Sequence, residues 1–174
     1  SEDAARFFYA LEGNAPSYSM AELVDAPMRL KPRLLNLIGR EKEHALSGRP
    51  SGIVAKMNSL LDEEVIRALY EAGQAGVKIR LIVRGICTLI PGVSHMSENI
   101  EVVSIVGRHL EHARAFRFEN GGDPDIYLSS ADWMPRNLVK RVELMFPVKD
   151  PACKRAVENI LMLQLADNVK SWRL

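Results

Sequence analysis

Two basic side chains with different chemistries stand two residues apart in the stretch LEHARAFRFENGG, Leu110 to Gly122: His112 and Arg114. In an extended segment side chains alternate between faces, so these two share one face and Ala113 and Ala115 take the other. An imidazole gives or takes a proton near neutral pH, and a neighbouring guanidinium holds negative charge beside it. The pair suits phosphoryl chemistry. Upstream, Arg84 ends the apolar run IRLIV and is followed by Gly85. A glycine there lets backbone approach an anion, while the guanidinium grips it through two parallel hydrogen bonds. Each feature also has a bland reading, a solvated His-Arg pair and an arginine leaving a sheet for water. Position in the fold has to decide between them.

Further residues are weaker candidates. Lys56 and Asn58, in AKMNS, end another strand at the same expected edge, and a structural role is the better reading of both. Arg136 and Asn137 follow Trp133, and Asn137 is placed to orient His112. His109 and His44 read as surface residues, as does His95 in a polar loop. Trp133 and Trp172 read as packing residues.

Composition sets the frame for that chemistry. The 174 residues are 47% hydrophobic and 26% charged, with a formal net charge of +1, in the range of a single globular domain. Such a balance announces neither nucleic acid nor a membrane surface, so an anion site must come from a local basic cluster. Cys87 and Cys153 lie far apart with no CxxC spacing and read as free thiols in a reducing compartment. No apolar run reaches the roughly 20 residues of a membrane span. SEDAARFFYALEG lacks the basic start and apolar middle of a signal peptide, which makes the cytoplasm the default. A start at Ser1 and an end at VKSWRL read as a piece of a longer chain.

The elements that must position these groups follow from periodicity. Helices are expected over residues 2–12 and 31–47, the second with Leu34, Leu35 and Ile38 on one side. AELVDAP is a brief strand broken by Pro27. SGIVAKMNSL, then a helix capped by Asp62, then VKIRLIVRG form a strand–helix–strand unit, the mark of a parallel sheet. NIEVVSIVG, ARAFRFEN, DIYLSS and RVELMFPV add four strands, with ENGGDPD as a hairpin turn. A terminal helix is expected over residues 150–172, with Asp150 as cap and Pro151 at its first position. The fold class is α/β, a mixed β-sheet flanked by helices. In open sheets of this kind, ligands sit beyond the carboxyl ends of the strands, where Arg84 falls.

The spacing His112-x-Arg114, four residues, Glu119, then Ser129-Ser130-Ala131-Asp132 resembles the phospholipase D motif of His-x-Lys, four residues, Asp, and a Gly-Ser-x-x-Asn strand end. Lysine is replaced by arginine and aspartate by glutamate, and an aspartate stands one place early for the asparagine. Those departures weigh against phosphodiester hydrolysis more than against the fold. The longer blocks AKMNSLLDEEVIRALYEAGQAGVKIRLIVRGICTLIPG, SIVGRHLEHARAFRFENGG and YLSSADWMPRN resemble the C-terminal phospholipase D-like region of the histidine-phosphorylating bacterial polyphosphate kinases. The resemblance runs over residues 21–174, with 1–20 similar to the end of the preceding domain.

That resemblance implies reversible transfer of the terminal phosphate of ATP to polyphosphate through a phosphohistidine held in the preceding domain. It implies magnesium bound mainly by that missing domain, and Arg84 and His112 on the nucleotide's phosphates, with Arg114 beside them. His112 would act as general acid or base. Arg114 has two open roles, binding polyphosphate oxygens or only orienting Glu119 and the strand ends. The implied partners are ATP or ADP, inorganic polyphosphate, the remaining domains of the same polypeptide and, in the full-length protein, further copies of itself. No nucleic acid and no transmembrane segment are implied. The alternatives are a phospholipase D-like phosphodiesterase or nuclease half-site working as a homodimer, and a non-catalytic polyphosphate-binding module.

Overall fold

Burial along the central strands sets the architecture. In a computed structural model, which describes residues 2–13, 20–106, 111–169 and 171–174, Ile53, Ala55 and Met57 of one strand lie in the main core. Val54 from the same strand belongs to a smaller apolar cluster on the opposite face. A strand buried on both faces must be covered on both, and helices cover it. The order of elements is α1 (Glu2–Leu11), β1 (Val24–Ala26), α2 (Leu30–Leu46), β2 (Gly52–Met57), α3 (Glu63–Gln74), β3 (Lys78–Val83) and β4 (Ile100–Ile105). Then follow β5 (Ala115–Phe118), a 3₁₀ turn (Asn120–Gly122), β6 (Asp125–Ser129), a π-type turn (Arg136–Lys140), β7 (Glu143–Pro147), α4 (Pro151–Ala166) and β8 (Ser171–Arg173).

The described strands form one mixed sheet in the order β1-β7-β6-β5-β2-β3-β4-β8. β2, β3 and β4 are parallel neighbours and every other pairing is antiparallel. The expected strand–helix–strand unit is β2-α3-β3, in register from Gly52↔Lys78 to Met57↔Val83. On one face, Leu34, Leu37 and Ile38 of α2 and Val65, Leu69 and Ala72 of α3 pack with Phe116, Phe118 and Trp133. Those helical residues recur at three- and four-residue intervals, the apolar stripe of a helix lying on a core. On the other face α4 supplies Leu161 to a cluster with Val54, Ile82, Val103 and Ala115. The result is an α/β fold with a mixed sheet between two helical layers.

The caps form as their sequences require. Asp62 accepts from the Val65 amide at 3.2 Å, and Asp150 from the Cys153 amide at 2.8 Å, each quieting an orphan donor of a first turn. Other expectations are corrected. The terminal helix stops at Ala166, where Asp167 turns extended, and residues 171–173 form β8 along β4. An unpaired strand edge outcompetes two more helical turns, because pairing satisfies the backbone of both segments. Trp172, expected to pack, is 70% exposed on that strand. His44, expected at the surface, is buried, with Gly121 of the 3₁₀ turn against its ring. β5 begins at Ala115, two residues later than its alternation indicates, so His112 and Arg114 precede the strand. His109 lies outside the described residues.

Candidate functional site

Strand directions bring the basic residues together. β2 and β3 run parallel and β5 runs against β2, so the carboxyl ends of β2 and β3 and the amino end of β5 share one sheet edge. β6 finishes at the same edge, where the Ser129 amide donates to the Arg114 carbonyl at 3.1 Å. Arg84 leaves β3 with its amide donating to the Met57 carbonyl at 3.3 Å, and the Gly85 amide donates to the Asn58 carbonyl at 2.7 Å. A Cβ at position 85 would stand 2.9 Å from that carbonyl oxygen, so only glycine allows the two strand ends this close. Arg84, Lys56, Asn58 and the 111–114 segment therefore converge.

Period two then decides which face each side chain takes. Lys56 follows Val54 and Arg84 follows Ile82, and both apolar partners belong to the cluster beneath α4. Lys56 bonds to the Glu111 carboxylate, which also accepts from Gln164 Nε2 of α4 at 2.8 Å. The hydrogen bond from Lys56 leads in holding the Glu111 carboxyl below its ordinary value; Gln164 and the charge of Arg84 add to it. Arg84 Nε is buried without a hydrogen-bond partner among the described residues. His112 is exposed beside Glu111.

Arg114 is held by Asp132 rather than by Glu119. Its Nε donates to Asp132 Oδ1 at 3.0 Å and its Nη2 to Asp132 Oδ2 at 3.1 Å, a two-pronged grip. Its Nη1 donates to the His112 carbonyl at 2.9 Å, which fixes the backbone carrying the imidazole. The Asn58 amide donates to Asp132 Oδ1 at 2.7 Å, and Asn58 Nδ2 to the same oxygen at 3.2 Å. Burial pushes the Asp132 carboxyl up, but the bonds from Arg114 and Asn58 outweigh it and leave the value lowered. Asp132 thus ties the loops after β2 and β6 to the entry of β5.

Glu119, in contrast, is not at this edge. β5 crosses the sheet between Arg114 and Glu119, and Glu119 pairs with Arg117 at 2.7 Å on the far side. Asn137 does not orient His112 among the described contacts; its Nδ2 donates to Glu143 at 2.5 Å, and Ser130 donates to the other oxygen of that carboxylate at 2.5 Å. Arg136 is exposed. Trp133 is fully buried against Phe116, ring centroids 4.9 Å apart. Glu111 and Asp132 carry much of the electrostatics. Asp132 was signalled in the sequence by its place at the end of the motif-like SSAD stretch, and Glu111 only by its adjacency to His112.

No group of three His, Cys, Asp or Glu side chains poised for a metal occurs among the described residues, and Glu111 and Asp132 are each engaged by cations. The arrangement offers two strand-end cations, an anchored arginine and an exposed imidazole, a set suited to holding and protonating phosphate oxygens.

Comparison with known proteins bears on what such an edge serves. Residues 23–174 match the family described as Polyphosphate kinase C-terminal domain 2. A polyphosphate kinase of Synechocystis sp. is 51% identical over 172 residues, 99% of this chain and 24% of that protein. One from Rhodopirellula baltica is 53% identical over 172 residues, 99% of this chain and 20% of that protein. The chain therefore spans about a quarter or less of the length of these relatives. The crystal structure of polyphosphate kinase from Porphyromonas gingivalis superposes with a TM-score of 0.95 at 43% identity, covering 99% of this chain and 26% of that one. A phospholipase D family member from Salmonella typhimurium, Nuc, shares the fold at a TM-score of 0.63 and 11% identity, over 88% of this chain and 96% of that one.

Proposed function

We infer the function from one premise: the chain belongs to the polyphosphate kinase C-terminal domain 2 family. It is a phosphate-gripping part of an ATP:polyphosphate phosphotransferase, with residues 21–174 as that enzyme's C-terminal phospholipase D-like domain and 1–20 as the end of the domain before it. The observation that carries this assignment is the convergence of Arg84, Lys56 and His112 on one sheet edge. Phosphoryl transfer asks mainly for positioning and for fixed positive charge around the moving group.

Arg84 clamps phosphate oxygens of the nucleotide. His112 donates a proton to the oxygen that leaves with ADP, and in the reverse direction takes it back. Arg114 adds charge to the phosphate field while its donors hold the His112 backbone, and Asp132 holds Arg114. The accepting histidine lies in the preceding domain, outside this chain. ATP loses its terminal phosphoryl to that histidine, and the phosphohistidine then passes it to the end of polyphosphate. Magnesium would be held mainly by residues of that other domain and would screen the phosphate charge there. The enzyme is cytoplasmic, where ATP is available, and works as an oligomer. Among the described residues no helix is long and apolar enough to cross a membrane.

The test uses the full-length enzyme. His112→Ala should reduce ATP-dependent polyphosphate synthesis by about 10²–10⁴-fold, the usual contribution of a general acid or base. Wild-type synthesis by that variant rejects the assignment. Robust hydrolysis of a chromogenic phosphodiester without ATP would favour the diesterase alternative instead.

A further inference from the structure

Lys56 keeps only 6% of its side chain exposed, whereas Glu111, its hydrogen-bond acceptor among the described residues, keeps 49%. A buried ammonium needs a counter-ion, so Lys56 must hold one. This counter-ion is open to water, and it comes from a residue that precedes β5 rather than from a strand. Gln164 Nε2 holds the same Glu111 oxygen at 2.8 Å from α4, so the carboxylate is seated across the mouth of the edge. Arg84 draws on that carboxylate as well, while its own buried Nε has no partner among the described residues. Ammonium and guanidinium donors fit a phosphate oxygen as well as a carboxylate oxygen.

We propose that Glu111 is an internal counter-ion occupying the phosphate place on Lys56 and Arg84, and that an entering phosphoryl group displaces it. The exchange rests on the functional reading above and deepens it. It keeps the buried ammonium paired in both states: Glu111 neutralises it before substrate arrives, phosphate afterwards. The imidazole next door is not set loose, because the His112 carbonyl is held by Arg114 Nη1 at 2.9 Å rather than by Glu111. Carboxylate and phosphate compete for the same donors, so by linkage each weakens the other's hold by one common factor. Glu111 thereby sets how strongly the empty site attracts phosphate chains.

Calorimetric titration of the full-length enzyme with inorganic tripolyphosphate, without nucleotide, reads this competition directly. Glu111→Gln keeps the size and bonding capacity of a half-exposed side chain but removes its charge. It should bind tripolyphosphate about tenfold more tightly than wild type, a usual size for coupling between two ligands. Without ligand the variant should unfold at a lower temperature than wild type, and saturating tripolyphosphate should close that gap. Equal or weaker binding by folded Glu111→Gln overturns the proposal. In a Lys56→Gln background the gain from Glu111→Gln should largely vanish; its full persistence would overturn the pairing with Lys56. Tripolyphosphate binding is read without turnover, so synthesis surviving His112→Ala would sink the functional reading by a separate route.

Discussion

The two edges of the central sheet carry polar networks of similar richness whose carboxylates hold different things. At the edge where β2 and β3 end, Lys56 and Arg114 pair with Glu111 and Asp132, and Glu143 accepts from Asn137 and Ser130. At the other edge Arg40 and Arg117 pair with Glu41, Asp125, Glu119 and Glu158, and Lys154 donates to the Pro124 carbonyl. There the acids hold the chain itself. Fully buried Glu41 accepts from the Gly52 amide at 3.1 Å and the Asn120 amide at 2.9 Å, which pins the start of β2 to the turn after β5. Buried polar networks alone therefore do not mark a site. What separates the edges is that the first carries exposed His112 beside a half-exposed counter-ion, Glu111, while the second is anchored by fully buried Glu41.

Breaking the edge that carries His112 should give the largest effect. Asp132→Asn in the full-length enzyme frees Arg114, and with it the backbone of His112. Synthesis should fall by about 10²-fold, the cost of a misplacement near 1 Å, with kcat falling more than KM. A variant with wild-type kcat would show that Arg114 needs no partner. At the other edge, Glu41→Ala leaves amide donors buried and unpaired. It should lower stability by about 3 kcal/mol in urea unfolding, with the specific activity of the folded protein kept. Loss of activity without loss of stability would erase the distinction between the edges.

Smaller changes sharpen the same contrast. Gly85→Ala pushes a methyl group against the Asn58 carbonyl and should cost about 1–2 kcal/mol of stability, as over-packing does, and lower activity as well. Unchanged stability would mean that the strand ends part freely. The smallest effect lies away from both edges. Asp3 accepts from the Leu23, Ala21 and Glu22 amides, which hold its carboxyl down to about 2 from 3.8. A depressed value means that its tethering of α1 is complete above 3.8 and lost as pH falls toward 2. Hydrogen-exchange protection at residues 21–23, relative to the unstructured rate at each pH, should fall over that interval, and constant protection through it would exclude the tether.

The amino-acid sequence determined a large part of this molecule. Near-continuous apolar runs in GIVAKM and KIRLIV marked two strands buried on both faces. Asp62 and Asp150 marked helix starts through side-chain chemistry that acts within three residues. Such signals are local, and a chain segment carries them wherever it lies.

Tertiary structure alone decided which charges meet. Lys56 finds Glu111 and Arg114 finds Asp132 across long stretches of sequence, while Glu119, five residues from Arg114, is carried to the opposite edge by β5. The last strand was equally hidden, since Ser171–Arg173 becomes β8 only because β4 offers an unpaired edge. The physical reason is common to all three. An ion pair or a strand pairing depends on distance in space and on the water excluded around it, and neither is written in the order of residues until the sheet has closed.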